Sequence, residues 1–306
     1  MTPVYDSLWA LSGRALWFDM LWQLLPVILL MGLVAQILII WRPGRSLALF
    51  MGYFVLYLPI VVLVVFSFNE PERVAVWTGF TTKWYAHIFG DGGRQLKETA
   101  ATSLRVALIS SSIAVVFGVM AALALVRLRR FWGRTVFTGL IYAPLIMPEV
   151  ITGLMLLIAF QMLFIDRGFA TVVLAHTTFA IAYVAVVVQA RLQTFDKDLE
   201  AAARDLGAGP LTTFFTITLP LIAPGVIGGW MLAFTLSLDD VVITQFTKGE
   251  GVNTAAVYTF SQVKTQTKTW VNAFSTLVIG VVATGVFLSF LISQYGKPNL
   301  SHDDTA

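Results

Sequence analysis

Seven long apolar runs set what this chain can fold into: residues 21–41, 46–68, 103–126, 136–164, 169–190, 221–244 and 271–293. Each is long enough to cross a bilayer, which takes roughly 20 residues of helix. The composition agrees, with 58% of the 306 residues hydrophobic and 12% charged, about half the charge of a soluble domain. Inside lipid every backbone N–H and C=O needs a partner within the protein, so spans are helices or strands of a closed barrel. The runs lack the alternating segments of about ten residues that make a membrane barrel. The sequence therefore predicts an all-α membrane protein, a polytopic helical bundle with six spans from Arg45 onward and one extra N-terminal helix.

Positive charge in short loops marks the cytoplasmic side of a membrane protein. Arg42 and Arg45 lie in one such loop, and Arg127, Arg129, Arg130 and Arg134 in another, with no acid in either. Both are predicted cytoplasmic. Counting spans from them places 191–220 and the C-terminus inside, and 69–102, 245–270 and the N-terminus outside. The formal net charge of +3 is then topological and not a nucleic-acid-binding face. Cysteine is absent, and the three histidines, His87, His176 and His302, fall in separate regions, so neither a disulfide nor a metal site is expected.

Residues 1–45 carry Trp9, Trp17, Trp22 and Trp41, the last two bracketing the first apolar run as interfacial anchors do. They read as an extension with an extra transmembrane helix; the competing reading is a later start, at Met31 or beyond. They do not read as a signal peptide, because Arg14 stands alone, Asp6 and Asp19 intervene, and the apolar run begins late. Residues 46–298 form the main domain and 299–306 a short tail.

One polar segment between the spans, LEAAARDLGAGPLTTFFTITLPL at 199–221, is built for contact with another protein. Leu199, Ala202, Ala203 and Leu206 fall at i, i+3, i+4 and i+7, one apolar stripe of a short helix, and Glu200 and Arg204 are spaced to pair on another side. Asp196 or Asp198 caps its start. Gly207 is a left-handed stop, and Gly209-Pro210 a restart, because proline suits the first helical turn. A helix, a sharp turn and a second helix follow.

Gly207 is followed after nine residues by Ile217, then by Leu219 and Pro220. That spacing resembles the Glu-Ala-Ala loop of ABC-importer membrane subunits. The triplet falls on Ala201, Ala202 and Ala203, so alanine stands where the family has glutamate, and Glu200 lies one residue early. The segments YLPIVVLVVFSFN at 57–69, APLIMPEVITGL at 143–154, LAHTTFAIAYVAVVV at 174–188 and GGWMLAFTLSLDDVVIT at 228–244 carry the same resemblance over residues 46–295. Within the family the chain is similar to the permeases of polyamine importers, particularly the putrescine type.

The resemblance implies a type I importer permease core of six helices, not an enzyme. It binds no cofactor itself; ATP and Mg sit on a partner ATPase dimer. A second permease subunit, in a heterodimer, and a periplasmic binding protein complete the implied assembly in the bacterial inner membrane. Glu200, Ala201, Ala202, Ala203, Arg204, Asp205, Gly207, Leu219 and Pro220 are the implied ATPase-coupling residues. The absence of any G-x-x-x-x-G-K-[ST] phosphate loop fits, since energy then comes from a partner.

Glu149, Asp239 and Asp240 lie within or at the edge of apolar spans. An ionisable group there costs at least about 2.5 kcal/mol and usually faces a bundle interior or a water-filled path. They are substrate-path candidates, because carboxylates replace the hydration of a di- or tricationic polyamine. Trp230, Phe234 and Tyr142 are candidates for cation–π contact with it. The alternatives stay open: Asp239 and Asp240 as a helix-end or interhelix bond, Glu149 as a hydrogen bond closing the kink made by Pro144 and Pro148. His176 reads as a satisfied packing residue, with a proton relay as the alternative. Trp84, Tyr85, Ile88 and Phe89 give a short surface helix outside, either part of the binding-protein face, which the KGEGVN loop at 248–253 extends, or lying flat on the membrane. Rival functions are import of another small solute, such as an amino acid or opine, and an ion-coupled secondary transporter or channel; no internal repeat supports the latter.

Overall fold

The computed structural model describes residues 42–72, 76–128, 130–194, 196, 198–265 and 268–295. The run at 21–41, the four N-terminal tryptophans and Met31 lie outside the described residues. The chain divides into two units, one ending at Ser67 and one from Phe68 onward. The first contains α1 (Arg42–Phe66), an apolar helix of 25 residues with Pro59 inside it.

The second unit runs through α2 (Lys83–Phe89), α3 (Arg94–Arg127), α4 (Arg134–Ile146), α5 (Glu149–Met162), α6 (Phe169–Thr194), α7 (Asp198–Asp205), α8 (Pro210–Thr213), a π turn (Phe214–Thr218), α9 (Leu219–Asp239), α10 (Val242–Thr247), α11 (Ala255–Thr265) and α12 (Thr269–Tyr295). Four helical stretches among the described residues are long and apolar enough to cross a membrane: Leu49–Phe66, α3, α6 and Pro210–Asp239.

The predicted span at 136–164 is two helices. Pro148 has no N–H to continue α4 and forces Met147 into an extended backbone, with ψ 139°. Pro144, by contrast, stays inside α4. The predicted span at 221–244 stops at Asp239, where Asp240 turns extended (ψ 127°) and α10 begins anew. The second helix of the 199–221 segment is not separate either. It runs through the π turn directly into α9, making one helical stretch of 30 residues. Pro220 lacks the N–H that an α-helix would need there, and a π turn is a way for a helix to absorb a lost bond.

Helices α3, α6 and α9 form the packed centre. Val184 of α6 is fully buried and sits against two glycines, Gly118 of α3 and Gly229 of α9. A Cβ at Gly118 would lie 2.6 Å from Val184 Cγ1, and one at Gly229 3.3 Å from it. The crossing therefore depends on residues without side chains. Ala114, Ala122, Ala175, Ala180 and Ala233 extend this small-residue core. At the other cluster, Trp84, Tyr85 and Ile88 of α2 pack on Trp270 and Val271 of α12, while Phe89 is 69% exposed. The short helix expected around Trp84, Tyr85, Ile88 and Phe89 is thus present, over Lys83–Phe89, and held to the start of α12.

Gly118→Ala is expected to destabilise the protein by about 1–3 kcal/mol through overpacking, and adding Val184→Ala should recover part of that loss. Thermal unfolding in detergent measures both; a Gly118→Ala variant as stable as the parent would refute the close crossing.

Candidate functional site

Two helix breaks meet in one place. The first residue after the Pro148 break is Glu149, and the last before the Asp240 break is Asp239. Both carboxylates line a cleft of about 240 Å³ whose wall also includes Thr152, Phe179, Tyr183 and Asp240. Glu149 and Asp239 are exposed. Glu149 makes no side-chain hydrogen bond among the described residues, so it does not close the kink. It lies in the first turn of α5, where the helix dipole favours an acid.

Asp240 behaves differently from its neighbour. Its carboxylate, with the side chain 5% exposed, accepts the backbone N–H groups of Ile243 (3.2 Å) and Thr244 (2.7 Å) and so caps α10. It also accepts the Thr244 hydroxyl at 2.7 Å and lies 3.3 Å from His176 Nε2. His176 is fully buried, 2.9 Å from Thr244 Oγ1 through Nε2 and 2.6 Å from Ser237 Oγ through Nδ1. Ser237 in turn reaches Ser110 of α3 at 3.2 Å. A carboxylate only accepts, so the Thr244 hydroxyl donates to Asp240 and its oxygen takes the Nε2 proton of His176. The network ties α3, α6, α9 and α10 together. Asp240 therefore has the helix-end bonding that the sequence left as an alternative, and His176 is a hydrogen-bonded packing residue as the sequence reads it.

The three aromatic candidates do not join the acids among the cleft residues. Trp230 and Phe234 stack on one another at 5.3 Å, with Trp230 Nε1 donating to Ser112 Oγ at 3.2 Å. Tyr142 lines a separate hollow and donates to Gln189 Oε1 at 2.9 Å. Phe179 and Tyr183, which the sequence did not single out, are the aromatics that line the acid cleft.

At the other functional segment the turn forms as expected. Gly207 has φ +88°, Ala208 N–H reaches Ala203 O at 3.0 Å and Gly207 N–H reaches Arg204 O at 2.9 Å, the paired bonds of a Schellman stop. Gly209 is extended, and Pro210 opens α8. Asp196 Oδ1 accepts the Asp198 N–H at 3.0 Å. The stripe is open: Leu199 is 48% exposed, Leu206 89% and Leu211 75%, and α7 buries none of its residues. Arg204 and Asp205 are exposed, Ala203 and Leu219 are partly buried, and Ala201, Ala202 and Pro220 are exposed.

Glu200 corrects the expected pairing along α7. Its Oε1 accepts Arg127 Nη2 and Thr218 Oγ1, both at 2.7 Å, and it does not pair with Arg204. Arg127 and Thr218 lie 73 and 18 residues away in sequence, so helical spacing carried no sign of either.

Residues 114–298 match the family of binding-protein-dependent transport system inner membrane components. The chain belongs to that family. It is 43% identical over 260 residues to the putrescine transport system permease protein PotI of Escherichia coli K12, covering 83% of this chain and 92% of that protein. It is 37% identical over 250 residues to the spermidine/putrescine transport system permease protein PotC of Haemophilus influenzae, covering 82% and 96%. Among solved structures, a bacterial ABC transporter involved in the import of the acidic polysaccharide alginate superposes with a TM-score of 0.61 at 14% identity, over 83% of this chain and 95% of that one. That likeness concerns the fold. This family member is a multi-pass inner-membrane transport component and not an enzyme.

His176→Ala is expected to destabilise the folded protein by roughly 3 kcal/mol, since it strips buried partners from Asp240, Thr244 and Ser237. Asp239→Asn should leave stability within about 0.5 kcal/mol, as surface changes do. Unfolding midpoints of the two purified variants compare the roles of the adjacent acids.

Proposed function

We propose that this chain is the permease subunit of an ATP-driven importer that carries putrescine or spermidine. The observation that carries the reading is the meeting of Glu149 and Asp239 in one cleft at two helix breaks. A protonated diamine entering a bilayer gives up hydration at each ammonium, and two exposed carboxylates are suited to replace it. The Tyr183 ring in the same wall offers a face to an ammonium group. The relatives whose names specify putrescine and spermidine support the same substrate class. Asp240 is assigned to holding α10, not to the substrate.

The assembly is a heterodimer of permeases, an ATPase dimer on the cytoplasmic face and a periplasmic binding protein. The open stripe Leu199, Ala202 and Leu206, together with Leu211, is the apolar face that an ATPase groove would cover. Counting spans from the arginine-rich short loops at 42–45 and 127–134 favours a cytoplasmic placement of this segment. ATPase closure would then rock the helices between inward- and outward-facing states.

Proteoliposomes holding the complete importer should take up labelled putrescine or spermidine only with ATP and the binding protein. Accumulation by this chain alone on a proton gradient would overturn the reading. In the complete importer, Glu149→Gln and Asp239→Asn should each raise the KM for uptake by about two- to fivefold, the equivalent of roughly 0.5–1 kcal/mol for a half-exposed charge pair, with assembly intact. Unchanged kinetics in both would remove the cleft from the substrate path.

A further inference from the structure

Helix α7 has little to push with. None of its residues is buried, and its packing is against α8 and the π turn, the segments that follow it in the chain. Beneath it lies a cleft of about 440 Å³, lined by Leu123, Val126, Arg127, Glu200, Arg204 and Phe214 among others. Side-chain packing is therefore a limited route for passing a displacement of α7 to the bundle.

Bonds from Glu200 cross that space. Glu200 Oε1 accepts the Arg127 guanidinium and the Thr218 hydroxyl, each at 2.7 Å. Arg127 is the last residue of α3, and Thr218 is the last residue of the π turn, immediately before α9. The Arg127 and Glu200 side chains are only 21% and 14% exposed, so the pair is largely shielded from water and from salt, and stronger than a surface pair. Thr218 is 3% exposed. A single carboxylate oxygen thus joins α7 to the ends of two of the three central helices.

Resting on the assignment of α7 to an ATPase, we propose that Glu200 is an internal strut and not an ATPase contact: it carries movement of α7 into α3 and α9 together. The residue displaced by one position from the family's glutamate then serves the permease side of the joint. The outward face is left to Leu199, Ala202 and Leu206. The π turn suits this arrangement, because an irregular turn lets α7 and α8 shift before α9 follows, and the strut makes α9 follow.

The test uses the complete importer and the coupling ratio, solute molecules imported per ATP hydrolysed, which loss of folded protein alone does not move. Glu200→Ala should retain the ATPase subunit on co-purification, continue to hydrolyse ATP and lower the ratio about fivefold or more. Thr218→Val, which removes one hydroxyl and keeps the shape, should lower it by a smaller factor. The exchange of Glu200→Arg with Arg127→Glu should restore a ratio above that of either single change. Loss of the ATPase subunit from the Glu200→Ala complex would make Glu200 an outward contact and overturn the strut. An unchanged ratio in both Glu200→Ala and Thr218→Val would also overturn it, as would an exchange no better than the single changes. A parent importer that moves a different solute would refute the polyamine reading alone, since the ratio is then measured on that solute.

Discussion

Inside a bilayer two apolar helices gain nothing from leaving water when they meet, so association rests on close packing and on polar bonds between helices. The centre of this protein uses both. Val184 fills the space that Gly118 and Gly229 leave, which brings α3, α6 and α9 within backbone reach of one another. At that spacing short side chains can bond across helices, and Ser110, His176 and Ser237 do so. Larger residues at the two glycines would separate the helices and leave the same polar groups without partners. Packing and polar satisfaction are one constraint here, met or lost together.

That constraint decides which acids are free. Asp240 follows the end of α9 and is drawn inward by the α10 N-terminus, Thr244 and His176. Asp239, one residue earlier and still within α9, stays exposed. Neighbouring acids at a helix end thus differ in exposure because backbone direction changes between them. Glu149 is freed in the same way by Pro148, whose missing N–H ends one helix and lets the next start with an acid at its favourable pole.

Sequence alone made the spans legible, since long apolar runs have few alternatives in lipid, and the Gly207 stop and Pro210 restart were legible from glycine and proline chemistry. The continuity of α8 with α9 was hidden because residues 210–220 look polar. Their threonines return hydroxyls to the helix itself, Thr213 to Gly209 O and Thr216 to Thr212 O, and so lie in a helix with their polar groups satisfied. The roles of Glu200, Asp240 and His176 were also hidden, for a different reason. Each is set by partners on other helices, such as Ser237 and Thr244, 61 and 68 residues from His176. Arg127 was read only as a topological charge, because helical periodicity says nothing about which distant residue a charge will meet.

The two candidate sites lie at opposite ends of one helical stretch. Pro210–Asp239 has 30 residues, which at 1.5 Å per residue is about 45 Å of rod. Near its start the Thr218 hydroxyl is held by Glu200, and its last residue, Asp239, lines the acid cleft. Regular α-helix resists bending, so compliance collects at the π turn and at Pro224 inside α9. Beyond Pro224 the Gly229 crossing with Val184 supplies a pivot. Displacement imposed at the Thr218 end is therefore taken up in part before that crossing, while Asp239 stays tied to the packed centre and Glu149 stands on a separate helix. A cleft built from two helices with different attachments can change its affinity for a cation without any change in the residues that line it.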